Sequence, residues 1–269
     1  MFGRALRDWR LARRRSQLEL ALEAEVSSRH LSFLETGRAQ PSREMVLLLA
    51  SALDLPLRER NGLLQAAGFA PAYSETGLSK PEMAEMTAAL RFILRQHQPF
   101  PAVALDRHWN LVMANEAYLG TLRLLLGAGA APQAVPYEVV PAPRTNVLRA
   151  LFDPAGLRPF IANWEQVARS ALARVRREAA FDGDAESREL LATLVRHAAL
   201  PAAGGPSPDA PQALVIPVEI RLGTRLLRFF TTLTTLGAPQ DITLAELRIE
   251  AFHPADAETE TAARELARA

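Results

Sequence analysis

The residues best placed to do chemistry lie between positions 17 and 43, in the stretch QLELALEAEVSSRHLSFLETGRAQPSR. Ser27, Ser28, Arg29 and Ser32, with Phe33 beside them, share the polar side of a short segment whose other side carries Leu31 and Leu34. A narrow, donor-rich helix of this kind suits a major groove, where each base pair presents its own pattern of donors and acceptors. Arg29, near the front, can make two hydrogen bonds to guanine O6 and N7, or hold a phosphate. Ser28 and Ser32 can bond bases or phosphates with little discrimination, and Ser27 can instead cap the helix. Phe33 can touch a thymine methyl or pack inside its own domain.

Catalytic patterns do not emerge elsewhere. The five histidines, His30, His97, His108, His197 and His253, share no short metal-binding spacing, and neither HExxH nor GxSxG occurs. With no cysteine there is no disulfide, thiolate zinc site or cysteine nucleophile, which is compatible with a reducing compartment. Gly127-Ala128-Gly129 follows a helical pattern rather than a strand, so it reads as a loop and not as a phosphate cradle. The expectation is a protein that is not an enzyme and carries no metal.

The elements that must position the polar helix follow from periodicity. Leu6, Trp9 and Leu11, then Leu18, Leu20 and Leu22, fall in helical windows, and Ser16 with Glu19 makes a capping box between them. Ala21 is small where two helices would cross, and Val26 follows a four-residue interval in which the chain must turn. Gly37 offers a left-handed stop, Pro41-Ser42 opens a fourth helix, and Leu57 to Ala67 forms a fifth before Gly68 and Pro71. In the first helix Arg4, Arg7, Arg10, Arg13, Arg14 and Arg15 oppose only Asp8, a cluster that can meet phosphates or simply be solvated.

Residues 71 to 84 mix Pro, Gly, Ser and charge without periodicity and read as a linker. Beyond them comes a helix near 84 to 97. Two short apolar runs, Ala102 to Leu105 and Leu111 to Ala114, are joined by a turn at Asp106-Arg107-His108. Helices are expected near 115 to 126, 144 to 152, 158 to 179 and 184 to 198, with Phe160, Trp164, Val167, Ala171, Leu172 and Val175 on one stripe. Three further strands, from Val215, Leu226 and Ala245, complete a sheet of about five. The tail after about 255 is expected to fray. At 269 residues, a formal charge of +1 and 49% hydrophobic residues, the chain is expected to form two folded domains. Its amphipathic, arginine-rich start resembles neither a signal peptide nor a membrane span, so cytoplasmic placement is expected.

Gln17, Ala21, Val26, Leu31, Leu34, Glu35, Gly37 and Pro41-Ser42 stand at the offsets of the lambda-repressor-like, or XRE-type, helix-turn-helix family, which the first 70 residues resemble. Glu25 departs from that pattern, since the turn position there usually holds Gly. LDRHWNLVMANEAY at 105 to 118, TNVLRALFDPAGLRP at 145 to 159 and RFFTTLTTLGAPQDITLAELRIEAFHPAD at 228 to 256 resemble MmyB-like regulators, whose second half is a PAS-like ligand-binding domain. The resemblance implies a multi-domain α and α+β protein. A five-helix DNA-binding domain (1–70) and linker (71–84) would precede a PAS-like antiparallel sheet with flanking helices (85–256) and a tail (257–269).

The same resemblance implies double-stranded DNA as partner, a homodimer, and a small apolar, fatty-acid-like ligand in place of a cofactor. Gln17, Arg38 and Arg43 correspond to positions that hold the DNA backbone, and Arg10 with Glu35 to a buried ion pair. Phe100, Trp109, Phe160, Trp164, Phe229 and Phe230 are candidates for the pocket or for ordinary core. Asn115, Asn146 and Arg149 are candidates for a ligand's polar head, with capping by Asn115 and a surface ion pair for Arg149 as the alternative roles. A second domain that serves only dimerisation or protein docking stays open.

Overall fold

A computed structural model describes residues 2–182, 184–200 and 216–267. Its first elements are α1 (Phe2–Ala12), α2 (Gln17–Glu23), α3 (Ser28–Glu35), α4 (Arg43–Ala52), α5 (Leu57–Ala66) and α6 (Ala84–Gln96). Then come β1 (Ala102–Leu105), β2 (Leu111–Ala114), α7 (Glu116–Leu126), α8 (Val147–Phe152), α9 (Trp164–Asp182) and α10 (Ala185–Ala198). The chain closes with β3 (Val218–Leu222), β4 (Arg225–Thr235), α11 (Ile242–Ala245), β5 (Arg248–Pro254) and α12 (Ala257–Leu266). It divides into two units, Met1–Gly77 with Leu236–Ala245, and Leu78–Thr235 with Glu246–Ala269.

The first unit is the five-helix bundle that the apolar spacing demands. Leu6, Leu20, Leu31, Leu34, Leu49 and Leu64 are fully buried in one core. Ser16, Ser27 and Ser42 cap α2, α3 and α4, each accepting a backbone N–H of the first turn, and Ser16 with Glu19 completes a capping box. Glu25 occupies the turn between α2 and α3 at φ +52°, in the left-handed region where its family pattern has glycine. Gly37, at φ +74°, follows the end of α3.

One part of this unit comes from far along the sequence. The connection between β4 and β5 adds Leu236–Ala245 to the bundle, where Ser74 and Asp241 form a parallel bridge. The Asp241 carboxylate accepts hydrogen bonds from the Ser74 hydroxyl (2.8 Å) and from the Thr76 and Thr243 N–H groups (3.0 and 2.8 Å). Residues 72 to 76, expected as linker, are therefore ordered: Asn61 also accepts from the Ala72 and Tyr73 N–H groups.

The second unit is a five-stranded antiparallel sheet in the order β2-β1-β5-β4-β3. The hairpin strands β1 and β2 are buried throughout and give no polar face to water. Val103, Leu105, Leu111, Phe152, Leu172 and Leu194 build a core with α8, α9 and α10, and Leu227, Phe229 and Ala262 a second one. The third strand starts at Val218 rather than Val215, a residue that lies outside the described ones. A helix, α12, stands where fraying was expected, because Asp256 caps it and Ala262 and Ala263 are buried. Its last neighbours, 268 and 269, are outside the described residues. No helix among the described residues is long and apolar enough to cross a membrane.

Candidate functional site

In the first unit α3 turns Leu31, Leu34 and Glu35 inward and leaves Ser28 and Arg29 exposed, with Ser32 and Phe33 half-buried. The Arg29 guanidinium lies 5.4 Å from the Phe33 ring centre, one helical turn along, and Arg38 approaches the same ring at 6.0 Å. Two cations stacked on one aromatic ring are partly pre-oriented, which lowers the ordering cost of engaging an anion or a base edge. Ser27 is engaged as the cap of α3, accepting the His30 N–H at 3.1 Å. Arg43 donates to the Ala70 carbonyl at 3.0 Å.

Gln17 serves a buried network behind this face. Arg10 donates to both oxygens of Glu35 (2.6 and 3.0 Å) and to the Arg15 carbonyl (2.8 Å), while Gln17 donates to Glu35 at 2.7 Å. Burial alone would raise the Glu35 carboxyl, but the hydrogen bonds from Arg10 and Gln17 outweigh it and hold it below its ordinary value. The network ties α1 to α3, and so sets the pose of the exposed face. Gly3 is the signal that sequence reasoning missed. A Cβ there would lie 2.4 Å from the Leu34 carbonyl oxygen and 2.5 Å from that of Glu35, so α1 crosses α3 at van der Waals contact. Part of the arginine-rich start is spent within the unit, Arg10 on Glu35, Arg13 on the Leu53 and Asp54 carbonyls and Arg15 on Glu23, while Arg4, Arg7 and Arg14 are exposed.

The second unit contains a cavity of about 410 Å³ between the sheet and its helices, within the usual range for small-molecule sites. Helix α7 turns Tyr118, Thr121, Leu122 and Leu125 into it, and α9 turns Val167, Ser170, Ala171 and Arg174 into it. Both sets follow the i, i+3, i+4, i+7 spacing of one helical face. The sheet contributes Val218 and Ile220 from β3, Thr231 from β4, and Glu250 and Phe252 from β5, while Leu148 and Leu151 of α8 close one side.

Of the aromatic candidates, Trp109 lines this cavity. Its ring lies beneath Arg174 (5.6 Å) and Arg248 (5.3 Å), and its Nε1–H donates to Glu178 at 2.9 Å. The others do not line it. Phe229 is core and packs edge-on against Phe252, Phe230 stacks on His253, Phe100 lies under Arg264, and Phe160 packs on the second core. Trp164 meets Phe152 edge-on and donates to the Ala198 carbonyl.

None of the three polar candidates lines the cavity. Asn115 is fully buried, caps α7 and bonds the Ala102 N–H and the Phe100 carbonyl. Asn146 caps α8 and donates to the His108 carbonyl. Arg149 reaches Glu189 and Thr193 on α10. A residue suited to orient a ligand is also suited to cap a helix, so composition could not separate the two.

The polar residues that do line the cavity are Arg174, Glu250, Thr231 and Tyr118, with Thr121 and Ser170; Tyr118, Thr231 and Glu250 fall within the family-like segments, but nothing in those segments singled them out. Burial pushes the Glu250 carboxyl up, and a Thr231 hydrogen bond and the Arg174 charge offset this only in part. Burial, then the Glu250 charge, push the Tyr118 phenol up as well. No group of three His, Asp or Glu residues able to hold a metal ion stands among the described residues.

The family model described as MmyB-like transcription regulator ligand binding domain matches residues 86–266, more than half of the chain, and a helix-turn-helix model matches residues 6–60. No curated protein matches the chain.

Proposed function

The chain belongs to the MmyB-like transcription regulators, and from that premise we propose that it is a sequence-specific, homodimeric DNA-binding protein of the cytoplasm that responds to a fatty-acid-like ligand. The observation that carries the sensory part is the largely apolar cavity between the sheet and α7, α8 and α9, on a chain that also presents the exposed face of α3. In this reading Arg29, Ser28, Ser32 and Phe33 read bases, and Arg38 and Arg43 hold phosphates. Gln17 acts through Glu35, and Ser27 acts through the helix start. Two copies place their α3 helices in successive major grooves, about 34 Å apart. The ligand acts only by preferring one arrangement of the dimer, because equal affinity for both states shifts nothing.

The test has two arms. Arg29→Ala loses about 1 to 3 kcal/mol on the operator and relaxes one base position, whereas Arg38→Ala weakens all sequences alike and lowers the salt slope. An unchanged ratio of operator to random DNA in Arg29→Ala refutes the readout assignment. Native mass spectrometry of the purified full chain shows a co-purifying apolar molecule. Empty protein whose melting ignores a panel of fatty acids removes the sensor reading in favour of a domain used only for dimerisation or docking.

A further inference from the structure

The cavity has two unlike ends. On α9 Val167 and Arg174 are seven residues apart, and on α7 Leu125 and Tyr118 are seven apart, so each pair spans about 10 Å at the helical rise. Val167 and Leu125 keep company with Ile161 and Ile220 at the apolar end, where all four belong to one buried cluster. Arg174 and Tyr118 stand with Trp109, Thr231 and Glu250 at the other, since Arg174 lies over the Trp109 ring and interacts with the Glu250 charge, as Tyr118 does. No hydrogen bond or salt bridge engages the Arg174 guanidinium among the described residues, although almost every other arginine lining the interior of this unit has an anionic or carbonyl partner. A half-buried guanidinium with open donors, facing a cavity, is a site for an acceptor that the protein itself does not supply.

We infer that Arg174 and Glu250 form the head-group end of this cavity and take the carboxylate of a single-chain amphiphile, one oxygen on the guanidinium and the other sharing a proton with the Glu250 carboxyl. The inference rests on the sensor reading above and names the residues that select the ligand. Charge balance decides the protonation state. Two carboxylates cannot both be ionised at hydrogen-bonding distance, so Glu250 binds as the neutral acid and donates its proton to the ligand. The groups around it agree with that state: Arg174 from α9 is the cation with open donors, Arg248 on the same strand shares the Trp109 ring but is paired with Glu178 of α9, and Tyr118 from α7 and Thr231 from β4 are neutral. Its register partners, Val103 on β1 and Leu233 on β4, are apolar. A cationic head would meet Arg174 unshielded, and a neutral alcohol would leave the guanidinium without its anion.

The test is calorimetric titration of the full-length protein with decanoate, decanol and decyltrimethylammonium across mildly acidic to mildly alkaline pH, in buffers of different ionisation heat. Decanoate binds about tenfold or more tightly than decanol, the scale of one charge-assisted hydrogen bond. Proton uptake rises from none toward one per decanoate as pH passes the value at which free Glu250 ionises, and affinity falls up to about tenfold per pH unit above it. In Arg174→Gln the ratio of decanoate to decanol collapses toward one. Glu250→Gln, a permanent neutral donor, abolishes the pH dependence. The wild-type proton count stands even if a variant fails to fold. Decanol or the ammonium binding as tightly as decanoate, or decanoate binding without proton uptake at any pH, overturns the head-group assignment while leaving the sensor in place. If none of the three binds, the sensor reading falls and the assignment with it.

Discussion

Replacing Glu35 by Gln is a sharp perturbation of the surface that α3 presents, because it changes one atom of a buried network and leaves the shape. The Glu35 side chain is 2% exposed and that of Arg10 8%, so neither can exchange its partner for water. Three donors converge on the two carboxylate oxygens, at 2.6, 3.0 and 2.7 Å. An amide at this position offers one acceptor fewer and turns an NH2 toward a guanidinium or an amide donor, and it leaves the Arg10 charge uncompensated. Breaking one side of a buried pair costs about 3 to 5 kcal/mol, against a total of about 5 to 15 for a domain. Glu35→Gln therefore removes about a fifth or more of the stability of the first unit. Hydrogen exchange at the amides of α1 and α3 in the full chain reads this loss apart from the second unit.

The pH dependence carries an independent sign. The folded Glu35 pKa lies below the ordinary value of 4.5, so the pair's contribution is complete above that value and is lost as pH falls through the lower folded one. Glu35→Gln flattens that acid limb. The paired replacement Arg10→Met with Glu35→Leu costs less than the sum of the single changes, since it leaves no orphan charge. A single-variant loss below about 1 kcal/mol, or an unaltered acid limb, would refute the reasoning that this pair fixes α1 to α3.

Three other outcomes are expected. Gly3→Ala forces α1 away from the Leu34 and Glu35 carbonyl oxygens and costs about 1 to 3 kcal/mol in urea unfolding of the first unit; a neutral result means the helices do not cross so closely. Glu25→Gly relieves a left-handed residue and raises stability by up to about 1 kcal/mol, with a decrease arguing against the positive φ. Asp241→Ala strips acceptors from the Ser74 hydroxyl and two N–H groups and costs about 1 to 3 kcal/mol, read as faster exchange at residues 74 to 76; unaltered exchange there shows that the Leu236–Ala245 segment is not held by these bonds.

Local, periodic information was legible in the sequence. The five helices of the first unit, their serine caps and the glycine stop after α3 are set by neighbours a few residues apart, and so is the alternation that marks the sheet strands. Those interactions depend on helical and pleated repeats, which a sequence displays directly. The family pattern likewise pointed to the Arg10 and Glu35 pair.

Which side chains face an interior space is a different kind of fact, because it depends on how α7, α8 and α9 pack on β3, β4 and β5 across more than a hundred residues of chain. Arg174 lies outside the family-like segments and Glu250 is not singled out within one, and their meeting follows from packing alone. Asn115 and Asn146 have the right chemistry for a ligand, yet their amides are consumed by local backbone donors. The same holds for Gly3, whose need for a missing Cβ comes from a carbonyl thirty residues away, and for Leu236–Ala245, which joins the first unit although its neighbours in sequence are strands of the second. Sequence by itself determined the local repeats. Tertiary structure decided which polar groups were left without a partner, since that balance is struck only when distant segments are brought together and water is expelled.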